Sequence, residues 1–350
     1  MCQKILFFTT NGCGGSERVT LTISRILYNY NYNIKNIIIE LGSNSELEHF
    51  IPNEIPYEKI GVKRLRNSFF SIFKIIKKEK PVYVFSSISL INIMLIISSF
   101  FIKDLRVIVR HGFMPKSKLD GSRFLIRIFY RFSYKIIAQT ELMKNEMINY
   151  YQINKELITV FHNPVDKIYI DKKIEESSPF SNADEIRFVA VGRIGQFKDY
   201  ETMINAFEIV NKENRKANLY ILGSVYDKNY SLYLSKIIKE KKLTKSIHFV
   251  GFTENPYRYI YNSDCFLLSS ISEGLPNVML EAMYLNIPVV ATKCIPFIEQ
   301  KIFEGVNGYC IPVKDFVQMA CAMRNAINLK GRIINKNENY NIESLLSIFR

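Results

Sequence analysis

The sequence predicts an α/β protein built from two doubly wound, Rossmann-like domains, each around a parallel sheet. Three observations predict it. The chain has 350 residues, too long for one ordinary domain and enough for two that each bury a core. Runs rich in Ile, Val and Phe recur between helix-period segments, the pattern of a parallel sheet assembled from βαβ units. That pattern lapses once, after Val165, where Asp166, Lys172, Lys173, Glu175, Glu176, Ser177, Ser178 and Pro179 collect. The domains are therefore expected at residues 1–165 and 186–335, joined by a linker over 166–185, with 336–350 forming a closing helix that can cross back to the first domain.

Strands are expected at 5–9, 34–41, 82–86 and 106–109 in the first domain, and at 187–191, 219–222 and 265–269 in the second. The stretch 82–102 carries no charge and is long enough to cross a bilayer. It holds five serines and Asn92, and it divides into a strand-like and a helix-like piece, so a buried strand and helix are expected. The apolar stretch 5–8 is soon broken by Asn11 and Gly12 and does not read as a signal peptide. Six cysteines without a C-x-x-C pair or metal-ligand spacing read as free thiols of a reducing cytoplasm.

The formal net charge is +14, and residues 1–170 hold 24 Lys/Arg against 13 Asp/Glu. Such a field suits an anionic partner. Between residues 59 and 80 eight basic residues and one acidic residue interleave with Phe69, Phe70, Ile72, Phe73, Ile75 and Ile76; Arg123, Arg127 and Arg131 recur every fourth residue. Helical spacing gives the first stretch an apolar and a cationic face. An anionic membrane surface is the partner expected, with the protein peripheral on its inner side. The alternative is helices that pack on the sheet and show solvated charge outward. No nucleic-acid partner is expected, because no aromatic-basic motif of the recognised modules and no basic tail is present.

In open α/β sheets ligands sit beyond the carboxyl ends of strands, where helix starts offer unpaired N–H groups to phosphate. Three junctions there carry Gly and charge. The first, Asn11-Gly12-Cys13-Gly14-Gly15-Ser16-Glu17-Arg18, fits neither a dinucleotide fingerprint nor a Walker loop. Its glycines let a phosphate or sugar approach the backbone, or simply form a tight turn. The second, Val191-Gly192-Arg193-Ile194-Gly195-Gln196-Phe197-Lys198-Asp199, places a guanidinium fork and a point charge in one loop. That is chemistry for a diphosphate, although two basic residues in a loop are also often just solvated. The third runs from Ser272 through Glu273, Gly274, Leu275, Pro276 and Asn277 to Glu281. Pro276 stands where the first residue of a helix favours proline. Glu281 then lies about one and a half turns in, able to reach ligand hydroxyls. The bland reading is two surface carboxylates.

The weighing changes because the sequence resembles the retaining glycosyltransferases of the large family four, glycosyl transferases group 1, in their bacterial surface-glycan form. The resemblance rests on Gly14-Gly15-Ser16-Glu17-Arg18, Gly192-Arg193 with Lys198, Leu222-Gly223 and the E-x(7)-E of Glu273 and Glu281. Phe249-Val250-Gly251-Phe252, Asn163-Pro164-Val165-Asp166 and Asn307-Gly308 complete it. It implies the GT-B fold, two Rossmann-like domains facing each other across a cleft. It implies that Arg193 and Lys198 hold the diphosphate of a nucleotide-sugar donor, with Gly14 and Gly15 closing over it. Glu281 then binds the ribose, Glu273 lies beside the transferred sugar, and Gly274 and Asn277 belong to the same donor loop. His111, after a strand in Val109-Arg110-His111-Gly112, falls where many members place an active-site histidine. The reaction implied is transfer of the sugar to a glycan acceptor, in lipid-linked form for surface polysaccharide, lipopolysaccharide or capsule, with retained anomeric configuration.

One departure stands out: many relatives have a Gly-rich turn after Thr292, whereas this chain has Cys294-Ile295-Pro296-Phe297-Ile298-Glu299. Either donor contacts differ there or Phe297 and Ile298 shape another sugar pocket. No D-x-D and no ligand-spaced cluster is present, so metal independence is expected, with no cofactor beyond the nucleotide-sugar co-substrate. The alternative function is an inactive sugar-nucleotide-binding or scaffolding protein of the same fold.

Overall fold

The computed structural model describes residues 3–12, 14–42, 47, 50–112, 123–181, 184–330 and 342–349. It divides into two compact units, the first running to Pro164 and taking in the last helix, the second starting at Val165.

The first unit has seven strands: β1 Lys4–Thr10, β2 Asn33–Leu41, β3 Tyr57–Val62, β4 Tyr83–Ser86, β5 Arg106–Arg110, β6 Lys135–Ala138 and β7 Ile158–Val160. Their order is β3-β2-β1-β4-β5-β6-β7, and every pairing is parallel. Strand order reverses between β1 and β4, which leaves a crevice at the carboxyl ends of those two strands. Helices α1 Gly15–Asn29, α2 Phe69–Glu79, α3 Ser89–Ser99, α4 Arg123–Phe129 and α5 Glu141–Tyr151 make the connections. The uncharged stretch is the buried strand β4 followed by α3, whose residues Ile91, Ile93, Leu95 and Ile96 join the core. Among the described residues no helix is long and apolar enough to cross a membrane. The apolar face of α2 is also spoken for, since Ile72, Ile75 and Ile76 pack into that core.

The second unit repeats the plan with β8 Ile186–Val191, β9 Ala217–Leu222, β10 Ile247–Gly251, β11 Cys265–Leu268, β12 Val289–Thr292 and β13 Gly308–Ile311. The order β10-β9-β8-β11-β12-β13 is again parallel throughout, with its reversal between β8 and β11. Its helices are α6 Lys167–Ile174, α7 Tyr200–Glu213, α8 Lys228–Glu240, α9 Tyr257–Tyr261, α10 Asn277–Tyr284, α11 Pro296–Lys301 and α12 Phe316–Ala326. The segment expected as a linker thus begins with a helix. Asp166 caps α6 by accepting from the Tyr169 amide, and Ile170 is buried in the second unit's core. Capping and one well-placed Ile hold a helix that composition alone reads as polar chain. Cys265, Cys294, Cys310 and Cys321 are free thiols, and Cys2 and Cys13 lie outside the described residues.

The closing helix α13, Ile342–Ile348, packs into the first unit, and residues 336–341 lie outside the described ones. Leu345, Leu346, Ile348 and Phe349 share a cluster with Ile5, Phe7, Tyr83 and Phe85. The Phe349 ring lies 5.7 Å from that of Tyr83 and 6.4 Å from those of Phe7 and Tyr32. Phe349 is 1% exposed, so the end of the chain completes the core on which its beginning folds. Phe349→Ala is expected to destabilise the first unit by about 3–5 kcal/mol; urea unfolding followed by tyrosine fluorescence checks this, and a midpoint equal to the parent's would contradict it.

Candidate functional site

The reversal between β8 and β11 brings the second and third glycine-bearing junctions together. Two bonds fasten the two loops, from the Ser269 hydroxyl to the Lys198 carbonyl (2.8 Å) and from the Ile271 amide to the Phe197 carbonyl (2.9 Å), and the Thr292 hydroxyl at the end of β12 donates to the Ser270 carbonyl (2.6 Å). Lys198 ends a short 3-10 turn over Gln196–Lys198, and Asp199, at φ +48°, caps α7 through Thr202. From that turn the Lys198 ammonium reaches Glu273 Oε1 at 2.6 Å, and the Ser270 hydroxyl donates to the same oxygen at 2.6 Å. Both side chains of the pair are mostly shielded, 14% and 13% exposed. Removing one partner of such a pair leaves the other charge poorly solvated, at a cost of about 3–5 kcal/mol when fully buried.

Arg193 behaves differently. It is exposed, and its guanidinium lies 5.0 Å from the ring centre of Tyr226 and 5.8 Å from that of Phe197. Among the described residues it forms no ion pair, so two aromatic faces hold the fork beside Lys198 with its charge uncompensated. Gly274 leads into α10, which starts at Asn277 with Pro276 at the capping position, one residue earlier than the sequence pattern placed it. Glu281 follows on the buried side of α10, where its Oε1 accepts from the Tyr257 hydroxyl at 3.5 Å.

The glycines here have steric reasons. A Cβ on Gly223 would stand 2.1 Å from the Gly192 carbonyl oxygen, and one on Gly192 would stand 3.0 Å from the Lys198 side chain. Gly308 is packed the same way, its Cβ position 1.9 Å from the Val289 carbonyl. Tyr200, which the sequence pattern did not single out, donates to the Gly192 carbonyl at 2.8 Å. Burial, then the nearby Glu273 charge, pushes its phenol far up, so it remains a donor. Burial likewise pushes the Cys294 thiol up to about 12. The loop beyond it does not form the sugar pocket entertained above: Pro296 is the first residue of α11, and Phe297 and Ile298 turn into the core. Their short amphipathic helix covers the sheet.

In the first unit Gly14 caps α1, and a Cβ there would meet the Glu17 carboxylate at 2.6 Å; Thr10 donates to the other Glu17 oxygen at 2.9 Å. Ser16 lies against Gly112, and Thr20 donates to Ser87 at 2.8 Å, so the start of α1 and the ends of β4 and β5 converge on the β1/β4 crevice. His111 follows β5 into the interior. Its ring is fully buried, edge-on to Tyr130 (5.9 Å) and Tyr151 (5.8 Å), while its amide donates to the Ile137 carbonyl and its carbonyl accepts from Gln139. Beside it Arg110, also buried, donates to Asn163, the residue before Pro164, and burial pushes its guanidinium down to about 9. Neither Arg110 nor Gln139 carries a sequence signal; only the topology brings them to Asn163.

Comparison with known proteins follows this geometry. The family described as glycosyl transferases group 1 matches residues 171–343. An uncharacterized glycosyltransferase of Methanocaldococcus jannaschii is 28% identical over 241 residues, 64% of this chain and 59% of that protein. The N-acetylgalactosamine-N,N'-diacetylbacillosaminyl-diphospho-undecaprenol 4-alpha-N-acetylgalactosaminyltransferase of Campylobacter jejuni is 24% identical over 305 residues, 83% of this chain and 80% of that one. Among solved structures, Anabaena HepE in complex with UDP-glucose aligns with a TM-score of 0.78 at 16% identity, covering 99% of this chain and 98% of that one. At that identity the likeness is one of fold, the GT-B type with two Rossmann-like units. The steric argument at Gly223 is tested by Gly223→Ala, expected to lower the unfolding free energy by about 1–3 kcal/mol. Denaturant titration measures it, and an unchanged midpoint would mean that the loop after β8 gives way freely.

Proposed function

We propose that the chain, whose residues 171–343 match the glycosyl transferases group 1 family, moves a sugar from a nucleoside-diphosphate donor to a glycan acceptor, retaining anomeric configuration and requiring no metal ion. The observation that carries this reading is the convergence of Arg193, Lys198 and Glu273 at the strand-order reversal of the second unit. Arg193 and Lys198 take the donor diphosphate, and the two cations stabilise the charge that develops on it as the glycosidic bond breaks. Glu281 binds the ribose hydroxyls, with Gly274 and Asn277 in the same loop, and Glu273 lies beside the sugar. Gly14 and Gly15 leave the backbone open to phosphate at the start of α1. The UDP-glucose of the HepE structure makes uridine diphosphate sugars the first donors to try.

Arg193→Ala is expected to lower kcat/KM by at least about a hundredfold, the scale of losing a charge partner in the transition state. EDTA is expected to leave the rate unchanged. Arg193→Ala activity within about twofold of the parent's, or a strict Mg²⁺ requirement, would contradict the assignment. Slow donor hydrolysis without acceptor separates an enzyme from an inactive binding protein of the same fold. His111 has a place in this reading only if its ring turns out from between Tyr130 and Tyr151. His111→Ala should then lower kcat with donor affinity and unfolding midpoint unchanged, whereas a loss of stability alone would make it a core residue.

The acceptor is a lipid-linked glycan at an anionic membrane surface. The Campylobacter relative is named for a diphospho-undecaprenol substrate, and the first unit holds most of the excess positive charge. Because α2 buries its apolar face, attachment rests on the exposed Lys63, Arg64 and Arg66, with Phe70 and Phe124, 75% and 74% exposed, as apolar contacts. Co-sedimentation should require anionic vesicles, weaken with salt, and fall when Lys63, Arg64 and Arg66 become Glu. Equal recovery with neutral vesicles would contradict it.

A further inference from the structure

A cavity of about 760 Å³ opens at the amino end of the first unit's sheet, by the starts of β4 and β5. Ligands of an open α/β sheet collect at the carboxyl ends, so this cavity is separate from the crevice beside Gly14 and Ser16. Its charged lining is Lys77, Lys80, Lys103 and Arg106 against the single carboxylate of Asp104. Among the described residues none of these four cations is in an ion pair. Glu79, which lies between two lysines in sequence, does not neutralise them. Hydrogen bonds from Lys35, at 2.8 Å, and from Lys4 engage its carboxylate and hold it down at about 2.

Two of the cations are fixed by aromatic rings. Arg106 donates to the Tyr83 hydroxyl at 2.7 Å and lies 4.9 Å from the Tyr134 ring centre, while the Lys77 ammonium lies 4.8 Å from that of Phe73. Phe73 meets Phe101 edge-on at 6.3 Å, and Phe101 lines the cavity while remaining 70% exposed. Phe100, next in the chain, is exposed too and contacts the exposed Phe132 at 5.3 Å. A cationic floor with the exposed Phe101 as its lip suits an anion that carries its own apolar body. A soluble anion would need the floor alone, and the lip would be bare apolar surface.

We propose that this cavity seats the phosphate headgroup of an anionic phospholipid, with Lys77, Lys80, Lys103 and Arg106 on the phosphate and Phe101 at the acyl boundary. Lys63, Arg64 and Arg66 follow the carboxyl end of β3, whereas the cavity lies at the amino ends, so one flat bilayer meets one set or the other, and the charge reversals that release the protein tell the two apart. It is tested on the full chain with vesicles of phosphatidylcholine with and without phosphatidylglycerol, and in parallel with glycerol 3-phosphate in solution. Lys77→Glu combined with Lys103→Glu should weaken binding to phosphatidylglycerol vesicles by at least about tenfold. The equal charge change Lys74→Glu with Lys78→Glu, on the same helix but off the cavity, should stay within about threefold. Phe101→Ser should weaken vesicle binding and leave any response to glycerol 3-phosphate as in the parent. The proposal is overturned if the two charge-reversal pairs fall alike, if phosphatidylglycerol vesicles recruit nothing, or if glycerol 3-phosphate binds while the vesicles do not. Donor hydrolysis measured on the same variants should match the parent, which separates failure of this site from failure of the transfer reading.

Discussion

Lys198 and Glu273 stand 75 residues apart in the chain and 2.6 Å apart in space. That ion pair is possible only because β8 and β11 are neighbours across a reversal of strand order, so that the loops leaving them turn toward one another. The rest of the site depends on the same juxtaposition. Ser269 and Ile271 fasten one loop to the other, Ser270 holds the Glu273 carboxylate, Tyr200 holds the Gly192 carbonyl, and Gly223 lets the neighbouring strand's loop pass against it. A basic and an acidic side chain are thereby kept ready in a shielded place. Arg193, stacked on two rings beside them, brings a second positive charge that no carboxylate neutralises among the described residues. Under the proposed function an incoming diphosphate meets that free charge first and competes with Glu273 for the other.

The two units solve the same problem with the same device, yet they differ in what they expose. The second holds its charged groups in tied loops. The first gathers small and hydroxyl residues at its crevice, Gly14, Ser16, Ser87 and Gly112, and, among the described residues, keeps its cations other than the buried Arg110 open to solvent. Its core is closed by the chain's last helix, so the stability of the first unit is linked to residues more than three hundred positions from its first strand.

Much of this was legible in the sequence, for a physical reason. Glycines at close backbone approaches cannot be replaced without a clash, so Gly223, packed on the Gly192 carbonyl, and Gly308 mark loops that the fold requires. Charged residues next to such loops, Arg193, Lys198 and Glu273, are then readable as a group. Periodicity reports that an element has an apolar face but not what covers it, and α2 shows this: its isoleucines were compatible with a membrane and are buried in the core. Short strands such as β6 and β7 carry too few residues to show a pattern, and α6 hides behind its charges because one buried Ile suffices to dock it. His111 illustrates a different gap. A residue just beyond a strand can turn to either side of the sheet, and only the tyrosines brought from 130 and 151 show which side was taken.

The central claim is that Lys198 exchanges its bond to Glu273 for the donor's diphosphate. Calorimetric titration of the parent, Lys198→Met, Glu273→Gln and the double variant tests it most directly. The ligand should be the nucleoside diphosphate, among those of uridine, guanosine and adenosine, that raises the parent's unfolding midpoint most. Lys198→Met should weaken binding by at least about tenfold, as expected for a lost charge-assisted contact, Glu273→Gln should leave it unchanged or tighter, and the double variant should match Lys198→Met. Parental affinity in a folded Lys198→Met protein would contradict the account.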